Sequence, residues 1–219
     1  MSRKLYAALL PLFAVAAFAV MPAVAQAQPH WYSNGKIIKA GTKVAVTTHS
    51  SPAGLSLEAL GRDIVCTVKD KGTIENPVGG GAGVDSITEF VNTACTPSVP
   101  PCETGETVEL TAGKLPWATL LLAGPPIRDE IKGIELKLEC NKAGVKRVLD
   151  IFTGTLTPQI VNGTTGSLKG CEEGTDTVAN FDNPGSGFLL DPLGNKGFPD
   201  GSDCIWGPPG DEVITVKNP

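Results

Sequence analysis

The chain of 219 residues carries 18 basic and 23 acidic side chains, a net charge of −5, and two histidines. No lysines or arginines cluster into a basic stripe, which excludes a nucleic-acid binder held by phosphate neutralisation. The length suits one large β domain or two small ones, with ample residues for a core, and the acidic excess serves solubility.

The chain opens on Arg3 and Lys4, continues with an uncharged apolar run from Leu5 to Val24 broken by Pro11 and Pro22, and reaches Ala25-Gln26-Ala27. A basic start, an apolar stretch and a small-residue Ala-x-Ala site are the parts of a secretory signal peptide, so residues 1–27 are expected to be cleaved after Ala27. A run of this length could also span a bilayer as an uncleaved anchor, but the prolines and the cleavage site favour removal. No second apolar run follows, so the mature chain is expected to leave the membrane and to be secreted, with a net charge near −7 once the two basic residues are gone.

From Gln28 onward the pattern is one of short strands. Val44 and Val46 alternate with Lys43, Ala45 and Thr47, Leu55 and Leu57 with Ser56 and Glu58, and Ile64, Cys66 and Val68 with Asp63, Val65, Thr67 and Lys69, while Val108 with Leu110, Leu149 with Ile151, and Ile214 with Val216 recur at the same period of two. The clearest case is Gly133 to Asn141, where Ile134, Leu136, Leu138 and Cys140 alternate with Glu135, Lys137, Glu139 and Asn141. A period of two puts the apolar set on one face of a half-buried strand. Turn formers such as Asn34-Gly35, Lys71-Gly72, Asn162-Gly163 and Asp200-Gly201 punctuate the runs. The expected fold is all-β, a sandwich-like or barrel-like antiparallel domain. Its organisation is read as a signal peptide over 1–27, a β-rich core domain over 28–165, and a disulfide-held irregular segment plus final strand over 166–219 packed on the same domain. The irregular part is expected from Thr175 to Gly210, where prolines and glycines leave little room for a ladder.

Six cysteines, Cys66, Cys95, Cys102, Cys140, Cys171 and Cys204, all follow the leader. An even number in an exported chain implies three disulfides among fifteen possible pairings. Strand cysteines that share a core face should pair inside and loop cysteines with near neighbours, which predicts Cys66 with Cys140, Cys95 with Cys102, and Cys171 with Cys204. A zinc site is disfavoured, because there is no Cys-x-x-Cys spacing and His30 and His49 stand far from the cysteines in sequence.

Motifs that carry chemistry are sparse. His49 has Ser50 and Ser51 beside it, but strand neighbours point to opposite faces and no Gly-x-Ser-x-Gly elbow exists. His30, with Trp31 and Tyr32, reads as an aromatic N-terminal strand covering the core ahead of a ligand-stacking site. Gly79-Gly80-Gly81-Ala82-Gly83 lacks the Gly-Lys-Ser/Thr of a phosphate cradle and reads as a loop between strands. The pairs Asp129-Glu130 and Glu172-Glu173 are candidates for a carboxylate mechanism, although adjacent acids usually face solvent. Asp191, Asn195, Asp200 and Asp203 form an oxygen-rich stretch that resembles calcium loops without their fixed spacing. Asn162-Gly163-Thr164 is a formal glycosylation acceptor. Trp117 and Trp206 could stack on sugars, but so few aromatic residues are more often spent on the core.

Several segments together resemble a group of secreted proteins of soil actinobacteria that has no established activity. They are His30-Trp31-Tyr32-Ser33-Asn34-Gly35, Gly72-Thr73-Ile74-Glu75-Asn76-Pro77 with its glycine run, Leu115-Pro116-Trp117, Gly124-Pro125-Pro126-Ile127-Arg128-Asp129 and Phe152-Thr153-Gly154-Thr155-Leu156-Thr157-Pro158. The resemblance implies export and a β-rich fold and transfers no catalytic residue. An immunoglobulin-like sandwich is an architectural analogy only: Trp117 lies far beyond the expected position after Cys66, and Leu138 stands where a tyrosine would precede the second cysteine. The expectation is a non-catalytic exported domain without cofactor or metal that binds an envelope glycan or protein. The alternatives are a secreted hydrolase using a carboxylate pair and a calcium-stabilised adhesion module built on Asp191 to Asp203.

Overall fold

The computed structural model describes residues 27–164, 171, 175–181, 185–207 and 212–218. The expected leader therefore lies outside the described residues, save Ala27. All regular structure among the described residues is β.

The N-terminal half contributes β1 (His30–Ser33), β2 (Lys36–Ile37), β3 (Val44–Ala59), β4 (Arg62–Glu75), β5 (Val84–Pro97), β6 (Thr107–Gly113) and β7 (Trp117–Leu122). After them come β8 (Arg128–Lys142), β9 (Val145–Leu156), β10 (Gln159–Val161), β11 (Thr177–Asn180), β12 (Leu189–Leu190), β13 (Lys196–Gly207) and β14 (Glu212–Lys217). Eight strands close on themselves in the order β13-β3-β4-β5-β7-β8-β10-β11 and back to β13, every pair antiparallel. The architecture is therefore a barrel. Eight strands give an interior just wide enough for side chains to fill or for one small ligand.

The predicted runs at 44–47 and 55–58 are two parts of the single strand β3, which is broken by a register shift between His49 and Leu55. β8 behaves as its alternation demands: Ile134, Leu136, Leu138 and Cys140 are buried. Its Glu135 and Glu139 face out but are covered by lysines, Lys114 Nζ lying 2.7 Å from Glu135 and Lys146 Nζ 3.5 Å from Glu139.

The stretch expected to be irregular holds β11, β12 and β13, and β13 runs the length of β3. Pro199 is accommodated within it, and the run is offset by a register shift between Gly201 and Asp203. Such a bulge absorbs residues that a regular ladder would reject. The glycine run from Gly79 to Gly83 joins β4 to β5 as a loop, with positive φ at Gly79, Gly80 and Gly81.

Two large apolar clusters, and a small third one of Cys171, Val178, Cys204 and Trp206, fill the described part of the molecule. One gathers around Leu57, Ile64, Val68, Leu138, Phe152 and Leu189. The other gathers around Trp31, Ile74, Leu121, Ile160, Ile214 and Val216, where the flap formed by β1 and β14 covers one end of the ring. Trp31 is fully buried, so the aromatic N-terminal strand covers the core as expected. Asn76 fastens it: its side chain accepts from Trp31 N at 2.8 Å and donates to the carbonyls of Trp31 and Ile38 at 2.9 Å each.

Three disulfides tie the strands, and two of the expected pairings are corrected. Cys66 on β4 bonds Cys95 on the adjacent β5, and Cys102, in the loop before β6, bonds Cys140 on β8. Cys171 bonds Cys204 as predicted. Cys66 and Cys140 do share the interior, but they stand on strands that are not neighbours, and the 4.1 Å between the α-carbons of Cys66 and Cys95 shows how pairing across one ladder decides the partner. Such bridges belong to an oxidising environment, and the chain is a disulfide-stabilised β domain.

Candidate functional site

Four aspartates lie on inward-facing positions where the alternation calls for apolar residues. On β4, Asp70 continues the inner face of Ile64, Cys66 and Val68. On β5, β8 and β13 the tripeptides Asp85-Ser86-Ile87, Asp129-Glu130-Ile131 and Asp203-Cys204-Ile205 set a carboxyl two residues before an isoleucine, and therefore on the same face. All three aspartates and all three isoleucines, with Asp70, line one interior cavity of about 60 Å³.

The ladder groups these acids in two similar triplets. Thr48 on β3 stands opposite Asp70 on β4 and diagonal to Asp203 on β13, whose own partner is Ser50. Thr119 on β7 stands opposite Asp85 on β5 and diagonal to Asp129 on β8, whose own partner is Leu121. Each triplet is thus a central threonine with an aspartate on either flanking strand. Asp70, Asp129 and Asp203 are 93–95% buried. Asp85 is less covered as a residue, yet its Oδ1 is buried like those of the other three, and all four Oδ1 atoms lack a hydrogen-bond partner.

Burial pushes the Asp70 carboxyl well above its usual range, and the neighbouring Asp203 pushes it further, against a smaller opposing effect of the Thr48 hydroxyl. Asp203 is raised by burial to about 7. In the second triplet burial raises Asp85, with Asp129 adding to it, and Asp129 is itself raised by burial to about 7. Two carboxyls in low dielectric favour sharing a proton over ionising together. Among the residues lining the cavity the single cation is Lys71, and its ammonium points away to Glu89 at 2.9 Å on the exposed face.

A second, nearly apolar cavity of about 80 Å³ adjoins the first and shares Asp70, Asp203, Ile87, Ile131 and Phe181 with it. Outside lies an open cleft of about 880 Å³, lined by Glu58, Arg62, Asp63, Phe188, Phe198 and Asp200 among others. Phe181 borders all three spaces. Phe188 and Phe198 are 38% and 43% exposed, their rings 5.9 Å apart, with Lys196 Nζ 4.3 Å above the Phe188 ring.

The residues singled out from sequence are dispersed. Asp129 and Glu130 point to opposite sides, Glu130 pairing with Lys132 at 2.6 Å on the surface, and Glu172-Glu173 lies outside the described residues. Asp191, Asn195, Asp200 and Asp203 do not converge. Asp191 accepts from its own loop, from Leu193 N, Asn195 N and Asn195 Nδ2 at 2.7 to 2.9 Å, while Asp200 borders the outer cleft and Asp203 faces the interior. His49 bonds the Ser50 carbonyl through Nδ1 and stacks on Trp206, whereas the Ser50 hydroxyl accepts from Val68 N. No serine–histidine dyad results. Trp117 and Trp206 are buried, and the Asn162 side chain pairs with the backbone of Val216 in both directions. The one close trio of metal-ligating types among the described residues, Cys102, Glu106 and Cys140, includes the two sulfurs of a disulfide.

Comparison with family models, curated proteins and solved structures finds no match.

Proposed function

We propose that the chain is an exported, non-catalytic binding domain that engages a cell-envelope glycan through the outer cleft. The supporting observation is the partly exposed pair Phe188 and Phe198 inside a cleft of about 880 Å³ rimmed by Arg62, Glu58 and Asp63. Aromatic planes offer stacking surfaces for sugar rings, the mixed charges offer hydrogen bonds to hydroxyls, and the volume falls in the range of ligand sites. The disulfides agree with a place outside the reducing cytoplasm, and no helix of the described residues is long and apolar enough to cross a membrane. A hydrolase reading would have to draw on Glu58, Asp63 or Asp200 in the cleft, because the buried carboxyl pairs lie inside the ring, in about 60 Å³, where a polymer has no room.

The test is co-sedimentation of the purified, oxidised protein with host cell-wall sacculi at low and high salt. Wild-type protein should pellet in both, and a Phe188→Ala/Phe198→Ala variant that melts like wild type should stay in the supernatant. Equal pelleting of the two proteins would refute the cleft as the binding surface.

A further inference from the structure

We infer that the barrel interior is a second site, separate from the glycan-binding cleft, that takes a small primary alkylammonium ion with its charged head at Asp70 and Asp203 and its carbon chain in the adjoining apolar cavity. Charge is the first argument. Four carboxyls face about 60 Å³ with no cation directed into it, and each has a buried oxygen without a hydrogen-bond partner. Buried polar atoms left unpaired carry a cost, so a native fold that keeps four of them in one place retains acceptors for something. The groups facing the cavity are the carboxyls of Asp70, Asp85, Asp129 and Asp203 and the Thr48 hydroxyl, all able to accept from an ammonium, which has three donors and no acceptor.

Geometry then selects among cations. A calcium or magnesium ion asks for six or more oxygens at close range. No three of the four acids bring a carboxylate oxygen each to within 4.8 Å of one another, so they build no cage for such an ion. A pair that shares one proton retains about one negative charge, which a monovalent head neutralises and a divalent ion over-compensates. The second argument is the neighbouring space. The apolar cavity of about 80 Å³ opens on the same Asp70 and Asp203 and is walled by Leu57, Val68, Trp117 and Leu136. Hydrated inorganic ions gain nothing from such walls, whereas a carbon chain of a few atoms fills them; an engineered apolar cavity of about 150 Å³ holds a benzene ring. Phe181, which borders the outer cleft and both cavities, stands on the path between solvent and the acids.

Thermal melting and calorimetric titration of the disulfide-intact protein with n-butylammonium chloride test this, with n-butanol, potassium chloride and calcium chloride as comparisons. Butylammonium should raise the melting temperature and bind more tightly at pH 8 than at pH 5, since protons compete for the same oxygens; butanol and potassium should do neither. Asp70→Asn and Asp203→Asn, which keep shape and remove charge, should each weaken binding about tenfold or more. Ile131→Phe, which fills the waist between the cavities, should weaken it without touching a carboxyl. Should the asparagine variants not fold, backbone amide shifts of Thr48, Asp70 and Asp203 on titrating wild-type protein read the same contact. Equal response to butanol, stabilisation by calcium but not by butylammonium, or unchanged binding in the variants would overturn the assignment. The cleft variant Phe188→Ala/Phe198→Ala should bind butylammonium like wild type, so failure here and failure of envelope binding are separately visible.

Discussion

Each of the four interior aspartates makes folding depend on pH in the direction opposite to a salt-bridged acid. A carboxyl held near 7 in the folded chain and near its ordinary 3.8 when unfolded keeps its proton longer in the fold. For Asp129 and Asp203 the unfolded state then binds fewer protons between those values, so their contribution to stability falls as pH rises from about 4 to about 7, at on the order of 1 kcal/mol per pH unit per group, and Asp70 and Asp85, raised by burial, act in the same direction. Glu106, Glu109 and Glu135 act in the other sense: hydrogen bonds from the Glu103 backbone, from Lys146 and from Lys114 respectively hold them below the usual range, so their contribution is lost only as pH drops below about 4.5. Thermal melts should therefore peak near pH 4 to 5 and decline toward pH 8, and Asp203→Asn should flatten that decline. A melting temperature that climbs from pH 5 to pH 8 in the ligand-free protein would contradict the buried, proton-sharing assignment. These acids were legible in principle: Asp-x-Ile at 85, 129 and 203 places a charge on an inner face. What hid them was reading Asp129 with its neighbour Glu130, when period two makes its face-mate Ile131.

At the level of elements, the close approach of β4 to β5 rests on a residue without a side chain. Gly72 sits at the register shift between Lys71 and Gly72, and a Cβ there would run into the carbonyl oxygen of Ser86. Backbone cannot yield as a flexible side chain can. Gly72→Ala should therefore cost about 1–3 kcal/mol as an overpacking change, measured by denaturant unfolding, and should displace Asp85 and Asp70 together because Gly72 lines their cavity. A variant as stable as wild type would mean that the bulge relaxes freely. Lys71-Gly72 lies inside β4 and is no tight turn; a glycine signals positive φ and close approach alike, and only the pairing of flanking strands separates the two. A strand with strict alternation, β8 above all, is plain in the sequence, and β14 is marked by its short apolar run between Glu212 and Lys217. β5 and β7 passed unnoticed because threonine, serine and glutamate inside β5 and a cis-proline turn before Trp117 blur the period. β13 was obscured by Pro199 and Gly201, which a bulged strand tolerates where the general rule for strand interiors does not.

For the whole molecule the question is what keeps a ring closed when most of its contacts are distant in sequence. β6, which pairs with β8 alone and lies off the closed ring of eight, shares no ladder with β5; Leu110 N instead donates to the Asn92 side chain at 3.3 Å across that seam beside the ring. The loop between the two strands is held to β8 by the bridge from Cys102 to Cys140. In the chain-entropy account the three bridges, spanning 29, 38 and 33 residues, should contribute nearly alike, about 4 kcal/mol each, because the dependence on loop length is logarithmic. What differs is the native side. Cys66 and Cys95 join strands already paired over eleven registered positions, so their loss leaves the local structure tethered. Cys102 has no ladder of its own, and its loss frees the loop at the seam. Cys140→Ser, made together with Cys102→Ser, should thus lower stability by about 4 kcal/mol and raise amide exchange across residues 98–106, whereas the Cys66/Cys95 pair of serines should lower stability similarly without opening that loop. Reduced and oxidised protein melting at one temperature would remove the disulfides from the account of why this barrel stays shut.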